Sequence, residues 1–356
     1  MKQLPSMRGM VLWCIATALA IPTGARADSC NPFGNAPRAI VPDVTQTTCA
    51  NGTTMGPWSD SDGTQRRACL YEPASASVAK PLPLIVYIHP SLFTADTLSV
   101  ATNILDFRDT ANVSDDPARP GFIVVAPEGR ATTHFYPQPD DQGTGWDNWY
   151  RQLDKSGGAV TVGGVSYPQN VDAATIDHFI DEEVATGKVD TRRIYVTGWS
   201  NGAAMGFLYA LNRRGIAAAA VYTAPDPFEA FNDPCPQQPV RRRPRSDAEV
   251  RVSNRRVPMY HVHNACDIAG ICPNGELLIT QLVGVHAQVT DVIIDGSQVQ
   301  VPMCDAGCGT NPDGDMNFQD NPRGFTEGTQ NHTRWPTAWT QSMLDFFRVH
   351  RLRGHP

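Results

Sequence analysis

The sequence predicts an α/β fold, with a mostly parallel central sheet and helices on both of its faces. Three apolar runs of strand length, at residues 82–89, 122–126 and 193–197, are the first observation. Continuous apolar runs of this length are typical of strands that are buried on both faces. Segments with helical periodicity, at 170–186 and 203–212, are the second. Strands that alternate with helices predict parallel βαβ units.

The remaining elements continue this alternation. Residues 217–223 and 257–262 predict two further strands, and residues 337–351 predict a closing amphipathic helix. The apolar face of that helix is formed by Trp339, Met343, Phe346 and Phe347. Because there is no internal repeat and no linker long enough to separate two domains, residues 28–356 are expected to form one domain.

Composition and charge exclude several classes of protein. Of the 356 residues, 41% are hydrophobic and 18% are charged, which is typical of a globular chain rather than a disordered one. The formal net charge is -7. A negatively charged surface repels a phosphate backbone, so nucleic acid is not expected as a partner.

The N-terminus has the pattern of a signal peptide. Lys2 and Arg8 precede a short apolar run at 10–21, and Ala-Arg-Ala follows at 25–27 as a small-x-small cleavage pattern. We therefore expect residues 1–27 to be removed, and the mature chain to be secreted or periplasmic. No later stretch approaches the ~20 apolar residues of a membrane-spanning helix, so no span is expected after removal. The alternative is a retained N-terminal anchor.

The cysteines suggest disulfides. Cys14 lies within the signal peptide, and eight cysteines remain: Cys30, Cys49, Cys69, Cys235, Cys266, Cys272, Cys304 and Cys308. An even number in an exported chain favours disulfides that pin the N-terminal segment 28–75. The pairing stays open, with Cys266–Cys272 and Cys304–Cys308 as local candidates. The alternative is that several are buried thiols.

One segment interrupts the α/β pattern. Residues 232–256 hold seven arginines and little apolar sequence, which predicts a solvated surface insertion. The alternative is a docking patch for an acidic partner.

The segment 193–205, RIYVTGWSNGAAM, carries the clearest functional signal. It predicts a strand, a Gly-x-Ser-x-Gly turn and a helix, which is the sequence pattern of a nucleophile elbow. Gly198 and Gly202 allow the strand and the helix to approach closely. The N-terminus of the helix directs backbone N–H groups toward the serine. Ser200 is therefore the predicted nucleophile, and an ordinary glycine turn is the alternative.

A serine hydroxyl needs a base, and in folds with this elbow an acid and then a histidine follow the serine along the chain. His332 lies just before the closing helix and is the predicted base, whereas His350 and His355 lie in or beyond that helix. Asp267 follows the strand 257–262 and is the predicted acid, which would hold the imidazole in the required tautomer. Weaker candidates for the acid lie in helix-like or glycine-rich sequence: Asp291, Asp295, Asp305, Asp313 and Asp315.

Two backbone N–H groups are predicted to form the oxyanion hole. One belongs to Asn201, the residue after the nucleophile. The other comes from the loop after the first apolar strand, where Pro90 has no N–H and Ser91 is the favoured donor.

Several motifs together resemble the polyhydroxybutyrate depolymerase/feruloyl esterase family. They are the elbow string 198–205, the early His89 loop, the His-x-x-x-x-x-Asp segment 261–267 and the string HTRWP at 332–336. The resemblance covers roughly residues 68–350. It implies an exported α/β-hydrolase that acts as a serine esterase without a cofactor.

The sequence departs from the family pattern at two positions. The family typically has His-Gly after the first core strand, where this chain has His89-Pro90. The family also usually has Gly before the late histidine, where this chain has Asn331. The first departure bears on the geometry of the oxyanion hole.

The resemblance also bears on the substrate. It implies hydrolysis of short-chain hydroxyacid polyesters or their oligomers, with feruloyl or acetylxylan ester hydrolysis as the alternative. A Trp-rich string at the corresponding place of the family suggests a pocket wall, here Trp146, Trp149 and Tyr150, to which Trp199 of the elbow is added. Core packing under the loop is the alternative for the string.

Three rival interpretations remain. The first is a metal site formed by His261, His263, Cys266, Asp267 and Cys272, although no metal is expected. The second is a calcium loop at 313–324, which lacks Gly at its sixth position and Glu at its twelfth. The third is a non-catalytic binding protein on the same fold.

Overall fold

An eight-stranded sheet forms the centre of the part of the chain that the structure describes. A computed structural model describes the chain over residues 47–60, 63–91, 93–129, 145–146, 160–162, 165–167, 170–224, 254–265, 267, 271–284, 286–294 and 331–353. The strands are Thr53–Ser59 (β1), Gln65–Tyr71 (β2), Leu82–Ile88 (β3), Ile123–Pro127 (β4), Val160–Val162 (β5), Val165–Tyr167 (β6), Val189–Trp199 (β7), Ala218–Tyr222 (β8), Pro258–Asn264 (β9) and Gln288–Ile294 (β10).

The strand order is β1-β2-β4-β3-β7-β8-β9-β10, and β5 pairs with β6 in a separate hairpin. β1 and β2 run antiparallel to their neighbours. Along this strand order, every pairing from β4–β3 to β9–β10 is parallel. The carboxyl ends of β3, β7, β8 and β9 therefore meet at one edge of the sheet, which is where ligands bind in open α/β sheets.

Helices cover both faces of the sheet. They are Thr97–Ala101 (α1), Val171–Ala185 (α2), Asn201–Leu211 (α3), Ile271–Gly284 (α4) and Thr340–Val349 (α5), with 3₁₀ turns at Ile104–Phe107 and Thr337–Trp339. The side chains of α2, α3 and α4 share one apolar cluster with Leu84, Val86 and Ile88 of β3. The side chains of α1 and α5 share the other with Ile85 and Tyr87. Every residue of β3 is buried, which is why this strand reads as a continuous apolar run.

The predicted α/β fold, with a mostly parallel central sheet and helices on both of its faces, is confirmed. Some boundaries differ from the prediction. β7 begins at Val189, four residues before the predicted start, because two exposed polar residues, Thr191 and Arg192, interrupt its apolar pattern in the sequence. α3 begins at Asn201, directly after the serine. The predicted closing helix divides into a 3₁₀ turn and α5, a common start for a helix.

A disulfide pins the N-terminal part of the described chain, as predicted. It joins Cys49 to Cys69 of β2. The backbone N–H of Cys49 also donates to Oδ1 of Asp96 at 2.8 Å, which ties this segment to the start of α1. The covalent bond restricts the unfolded chain and therefore stabilises the fold.

A buried arginine joins the same hairpin to α2. Arg66 of β2 is paired with Asp60 at 3.1 Å and with Asp172 of α2 at 2.7 Å. All three side chains are almost completely buried, and Arg66 also donates to the carbonyl oxygen of Glu128 at 3.1 Å. Removal of Arg66 would leave two buried carboxylates uncompensated, which is strongly destabilising.

Several predictions concern residues outside the described ranges. These are the signal peptide 1–27, most of the insertion 232–256, the calcium-loop candidate 313–324, and Cys30, Cys235, Cys266, Cys304, Cys308, Trp149, Tyr150, Asp295, Asp305 and His355. Among the described residues, no helix has both the length and the apolar character needed to cross a membrane.

Candidate active site

Ser200 occupies a sharp turn between β7 and α3. Its backbone has φ 55° and ψ −123°, a conformation that is uncommon for a residue with a side chain. The carbonyl oxygen of Ser200 accepts hydrogen bonds from the N–H groups of Ala203 and Ala204, at 2.8 and 3.0 Å. The N–H of Ser200 donates to the carbonyl oxygen of Tyr222 at 3.0 Å. These bonds hold the strained residue, as expected at a functional turn.

The two glycines of the elbow are required by close backbone contacts. A Cβ atom at Gly198 would lie 2.5 Å from the carbonyl oxygen of Gly202. A Cβ atom at Gly202 would lie 2.2 Å from the carbonyl oxygen of Ile88 and 2.3 Å from that of His89. The elbow therefore packs directly against the end of β3 and the loop that follows it.

Ser200, His332 and Asp267 are brought together at the carboxyl edge of the sheet. Ser200 Oγ lies 2.8 Å from His332 Nε2, and His332 Nδ1 lies 2.7 Å from Asp267 Oδ1. All three residues are buried, with exposed fractions of 7, 8 and 4% for Ser200, His332 and Asp267. With Asp267 ionised, Nδ1 carries a proton and donates it to the carboxylate, so Nε2 is free to accept the serine proton.

Two aromatic side chains anchor the backbone that carries His332. Trp199 Nε1 donates to the carbonyl oxygen of His332 at 2.8 Å. The hydroxyl of Tyr222 donates to the carbonyl oxygen of Asn331, also at 2.8 Å. Both rings contact Trp335, which is itself buried. The orientation of the imidazole is therefore fixed from the ends of β7 and β8.

Thr223, for which no sequence motif gives a signal, contacts Asp267. Thr223, which follows β8, donates a short hydrogen bond from its hydroxyl to Oδ2 of Asp267. Thr223 is fully buried and has φ 54°. Asp267 thus accepts from Thr223 on one oxygen and from His332 on the other, which fixes the plane of its carboxylate.

The predicted oxyanion donors lie on segments that adjoin the elbow. Asn201 is the first residue of α3, so its N–H has no partner within the helix. Its side-chain Oδ1 accepts from the N–H of Trp146 at 2.8 Å. Ser91 is buried in the loop after β3, two residues beyond His89, whose backbone lies against Gly202 of the elbow.

His89 holds that loop in place. His89 is fully buried, and burial lowers its pKa to about 4, so the ring is neutral at ordinary pH. Nε2 accepts from the N–H of Gly129 at 2.8 Å, so Nδ1 carries the proton and donates to the carbonyl oxygen of Pro90 at 2.7 Å. The carbonyl oxygen of His89 accepts from Trp146 Nε1 at 2.9 Å.

Trp146 and Trp199, two of the predicted pocket residues, are core residues in this structure. Their exposed fractions are 0% and 2%, and each indole N–H is used in a hydrogen bond to backbone. Neither ring offers free surface to a substrate. Trp146 braces the loop after β3 and Trp199 braces the backbone of His332, which corrects the prediction of a pocket wall for these two residues.

Glu128 is a buried carboxyl group near the same loop. Oε2 accepts from Thr47 Oγ1 at 3.0 Å and from the N–H of Ala95 at 2.8 Å, while Oε1 has no hydrogen-bond partner among the described residues. Burial raises the pKa of Glu128 from 4.5 to about 7. Because the folded-state pKa exceeds the unfolded value, the contribution of Glu128 to stability is complete below about pH 4.5 and is lost as pH rises through about 7.

His261, His263 and Asp291 form a second cluster, on β9 and β10. Their ligand-type atoms lie within 4.8 Å of one another, which is a spacing that a metal ion could use. The hydrogen bonds disagree with a metal, however. His261 Nε2 accepts from the N–H of Ala224 at 3.2 Å, so the proton sits on Nδ1, which faces Asp291 at 3.0 Å. A metal bound at Nδ1 would move the proton to Nε2, where the Nε2–H and the N–H of Ala224 would be two donors facing each other.

Asp267, a third member of the predicted metal cluster, does not join this set. Asp267 contacts His332 and Thr223 instead. Asp291, a weaker candidate for the acid of the site, lies on a strand rather than in helical sequence and is paired with the two histidines of β9. Cys266 lies outside the described residues.

No protein-family profile matches the sequence, and no curated protein matches it. Among solved structures, the chain is similar to a thermostable esterase, with 14% identity over 85% of this chain and 64% of that one and a TM-score of 0.48. The chain therefore spans 64% of the length of that esterase.

Two further solved structures are similar at the same level. One is an S-formylglutathione hydrolase from Agrobacterium tumefaciens, with 13% identity over 85% of this chain and 96% of that one and a TM-score of 0.48. The other is a ferulic acid esterase, with 12% identity over 69% of this chain and 90% of that one and a TM-score of 0.45. At these identities and scores, none of the three bears on the substrate of this protein.

Proposed function

We propose that the protein is a serine hydrolase that cleaves carboxylic esters through an acyl-enzyme. The observation that carries the proposal is the contact series from Ser200 Oγ to His332 at 2.8 Å and from His332 to Asp267 at 2.7 Å, on an elbow with φ 55°. A serine is activated by this arrangement because the neutral imidazole accepts its proton as the hydroxyl attacks.

The proposed reaction has two halves. In the first, a bond forms between Ser200 Oγ and the ester carbonyl carbon while His332 takes the hydroxyl proton. The carbon–oxygen bond to the alcohol then breaks, and His332 returns the proton to the leaving oxygen. In the second half, water attacks the acyl-enzyme with His332 as base, and the acid and free Ser200 are released.

The N–H groups of Asn201 and Ser91 are assigned to the oxyanion of the tetrahedral intermediates. The position of Asn201 at the N-terminus of α3 supports this assignment, because the helix dipole adds to the N–H. The bonds from His89 to Pro90 and from Gly129 to His89 support the assignment of Ser91, because they rigidify the loop. A donor that is fixed before reaction needs no reorganisation in the transition state.

Short-chain hydroxyacid polyesters or their oligomers are the proposed substrates, on the strength of the family resemblance in the sequence. We also propose that residues 1–27 direct export and that the protein acts in the periplasm or outside the cell. The disulfide between Cys49 and Cys69 supports export, since disulfides persist in oxidising compartments.

A hydrolysis panel tests the proposal. Purified protein is assayed with short p-nitrophenyl esters, a hydroxybutyrate oligomer and methyl ferulate, and kcat/KM is compared. We expect hydrolysis of the first two and a lower kcat/KM for methyl ferulate. A preference for methyl ferulate would replace the polyester proposal with a plant cell-wall ester. No hydrolysis of any ester would favour a binding protein on the same fold.

A further inference from the structure

Thr223 and the cluster of His261, His263 and Asp291 have no part in the reaction proposed above, yet they form one connected network with Asp267. The network starts at Asp291 of β10, whose carboxylate accepts from His261 Nδ1 at 3.0 Å and contacts His263 Nε2 at 3.2 Å. Both histidines are fully buried, and their rings stack with centroids 4.7 Å apart.

His261, held by Asp291 on one side, also contacts the backbone that follows β8. Its Nε2 accepts from the N–H of Ala224 at 3.2 Å, and Ala224 is bonded directly to Thr223. Burial lowers the pKa of His261 to about 4, so the ring stays neutral and Nε2 remains an acceptor. Phe207 of α3 packs against the same ring, which restricts its rotation.

Thr223 is held in a conformation that its side chain does not favour. It is a β-branched residue with φ 54°, and such outliers persist only where the surroundings enforce them. Its N–H donates to the carbonyl oxygen of Val262 at 2.7 Å, and the next N–H, that of Ala224, donates to His261. This backbone geometry directs the Thr223 hydroxyl to Oδ2 of Asp267.

We propose that Thr223 is a positioning residue for Asp267, and that the His261–Asp291 pair positions Thr223. The inference rests on the proposed function, because it assigns the network to the acid that orients His332. Oδ1 of Asp267 is then directed at His332 because Oδ2 is occupied by Thr223. His261 thus acts on the site through its hydrogen bond to the backbone rather than as a metal ligand.

The first test compares two substitutions at Thr223. Thr223→Val removes the hydroxyl and keeps the shape, whereas Thr223→Ser keeps the hydroxyl and removes a methyl group. Because a hydrogen bond to a charged group is lost, kcat of Thr223→Val is expected to fall ~10-fold or more with little change in KM. Thr223→Ser is expected to restore most of kcat. Equal losses in both variants, or an unchanged kcat in Thr223→Val, would overturn the proposal.

The second test is a double-mutant cycle between Thr223 and His261. His261→Phe removes the acceptor for Ala224 and is expected to lower kcat several-fold, whereas His261→Gln, which offers an acceptor oxygen, is expected to restore part of it. In the Thr223→Val background, His261→Phe should lower kcat little further, since no hydroxyl remains to be positioned. The same fold-loss in both backgrounds would contradict the proposal.

If the His261→Phe protein does not fold, Asp291→Ala replaces His261→Phe in the double-mutant cycle with Thr223→Val. The Asp291 side chain is 23% exposed on the edge strand β10, so its loss disturbs the core less. It is expected to lower kcat in the wild-type background and not in Thr223→Val. Wild-type ester hydrolysis is measured beside every variant. An inactive wild-type protein would refute the proposed function, whereas an active one with additive effects would refute this inference alone.

Discussion

Replacing Gly202 with alanine is expected to cost ester hydrolysis ~10²-fold while the protein stays folded. The added Cβ atom would lie 2.2 Å from the carbonyl oxygen of Ile88 and 2.3 Å from that of His89, whereas Cβ atoms essentially never approach closer than 3.0 Å. Both obstacles are backbone atoms, so α3 must move away from the end of β3. A misplacement of about 1 Å between reacting groups is enough for a loss of this size.

Gly206 supplies the matched control within the same helix. A Cβ atom there would lie 3.2 Å from Val196 Cγ1 and 3.4 Å from Val221 Cγ1, which are the ends of side chains that can shift slightly. Alanine also favours the helix over glycine by roughly 0.5–1 kcal/mol. Gly206→Ala is therefore expected to keep both its activity and its stability.

The assay measures kcat/KM with a p-nitrophenyl ester for both variants, after circular dichroism and thermal unfolding have shown which are folded. A folded Gly202→Ala protein with a kcat/KM within about threefold of wild type would refute the reasoning, because the close contact would then not aim the nucleophile. A comparable loss in Gly206→Ala would also refute it, since that loss would reflect α3 in general.

Three further predictions concern stability and metal dependence. Glu128→Gln is expected to raise the free energy of unfolding by ~3 kcal/mol above pH 8 and by little at pH 4.5, because the folded-state pKa of Glu128 is raised from 4.5 to about 7. Urea unfolding of both proteins across this pH range measures the difference. A difference that does not change with pH would contradict the prediction. Replacing Cys49 and Cys69 with serine, which opens a crosslink over 20 residues, is expected to lower the same free energy by ~3 kcal/mol, and an unchanged urea midpoint would be inconsistent with the crosslink. Prolonged incubation with a chelator is expected to leave ester hydrolysis unchanged, because the proton on His261 Nδ1 occupies the position that a metal would need; a loss that added zinc restores would argue against this.

The sequence predicts an element of the fold where the residue pattern is compatible with only one type of secondary structure. β3 is buried on both faces, so an unbroken apolar run is sufficient to predict it. β10 was not predicted, because it is a half-exposed edge strand in which Asp291 interrupts a short apolar alternation. α4, which precedes β10, also went unpredicted.

The same distinction applies to the site. Ser200, Asp267 and His332 could be named from the elbow motif and the order of residues along the chain, and the structure brings them together. Thr223 could not be predicted as a site residue, because its position beside Asp267 depends on its positive φ and on the hydrogen bond from the N–H of Ala224 to His261.

The sequence does not predict whether its tryptophans near the site line a pocket or pack in the core. A tryptophan beside a glycine-rich loop has the same sequence pattern whether it lines a pocket or fills the core. The buried hydrogen bond of Trp146 to the carbonyl oxygen of His89 distinguishes the two, and it is visible only in the folded chain.

Covalent labelling with a fluorophosphonate tests the central claim most directly. The wild-type protein is expected to gain one adduct, mapped by peptide mass spectrometry to Ser200, and to lose ester hydrolysis in proportion to labelling. Ser200→Ala is expected to gain no adduct and to lose ~10⁴-fold or more of kcat while remaining folded. An adduct on a different serine, or a Ser200→Ala protein that hydrolyses esters at the wild-type rate, would contradict the account.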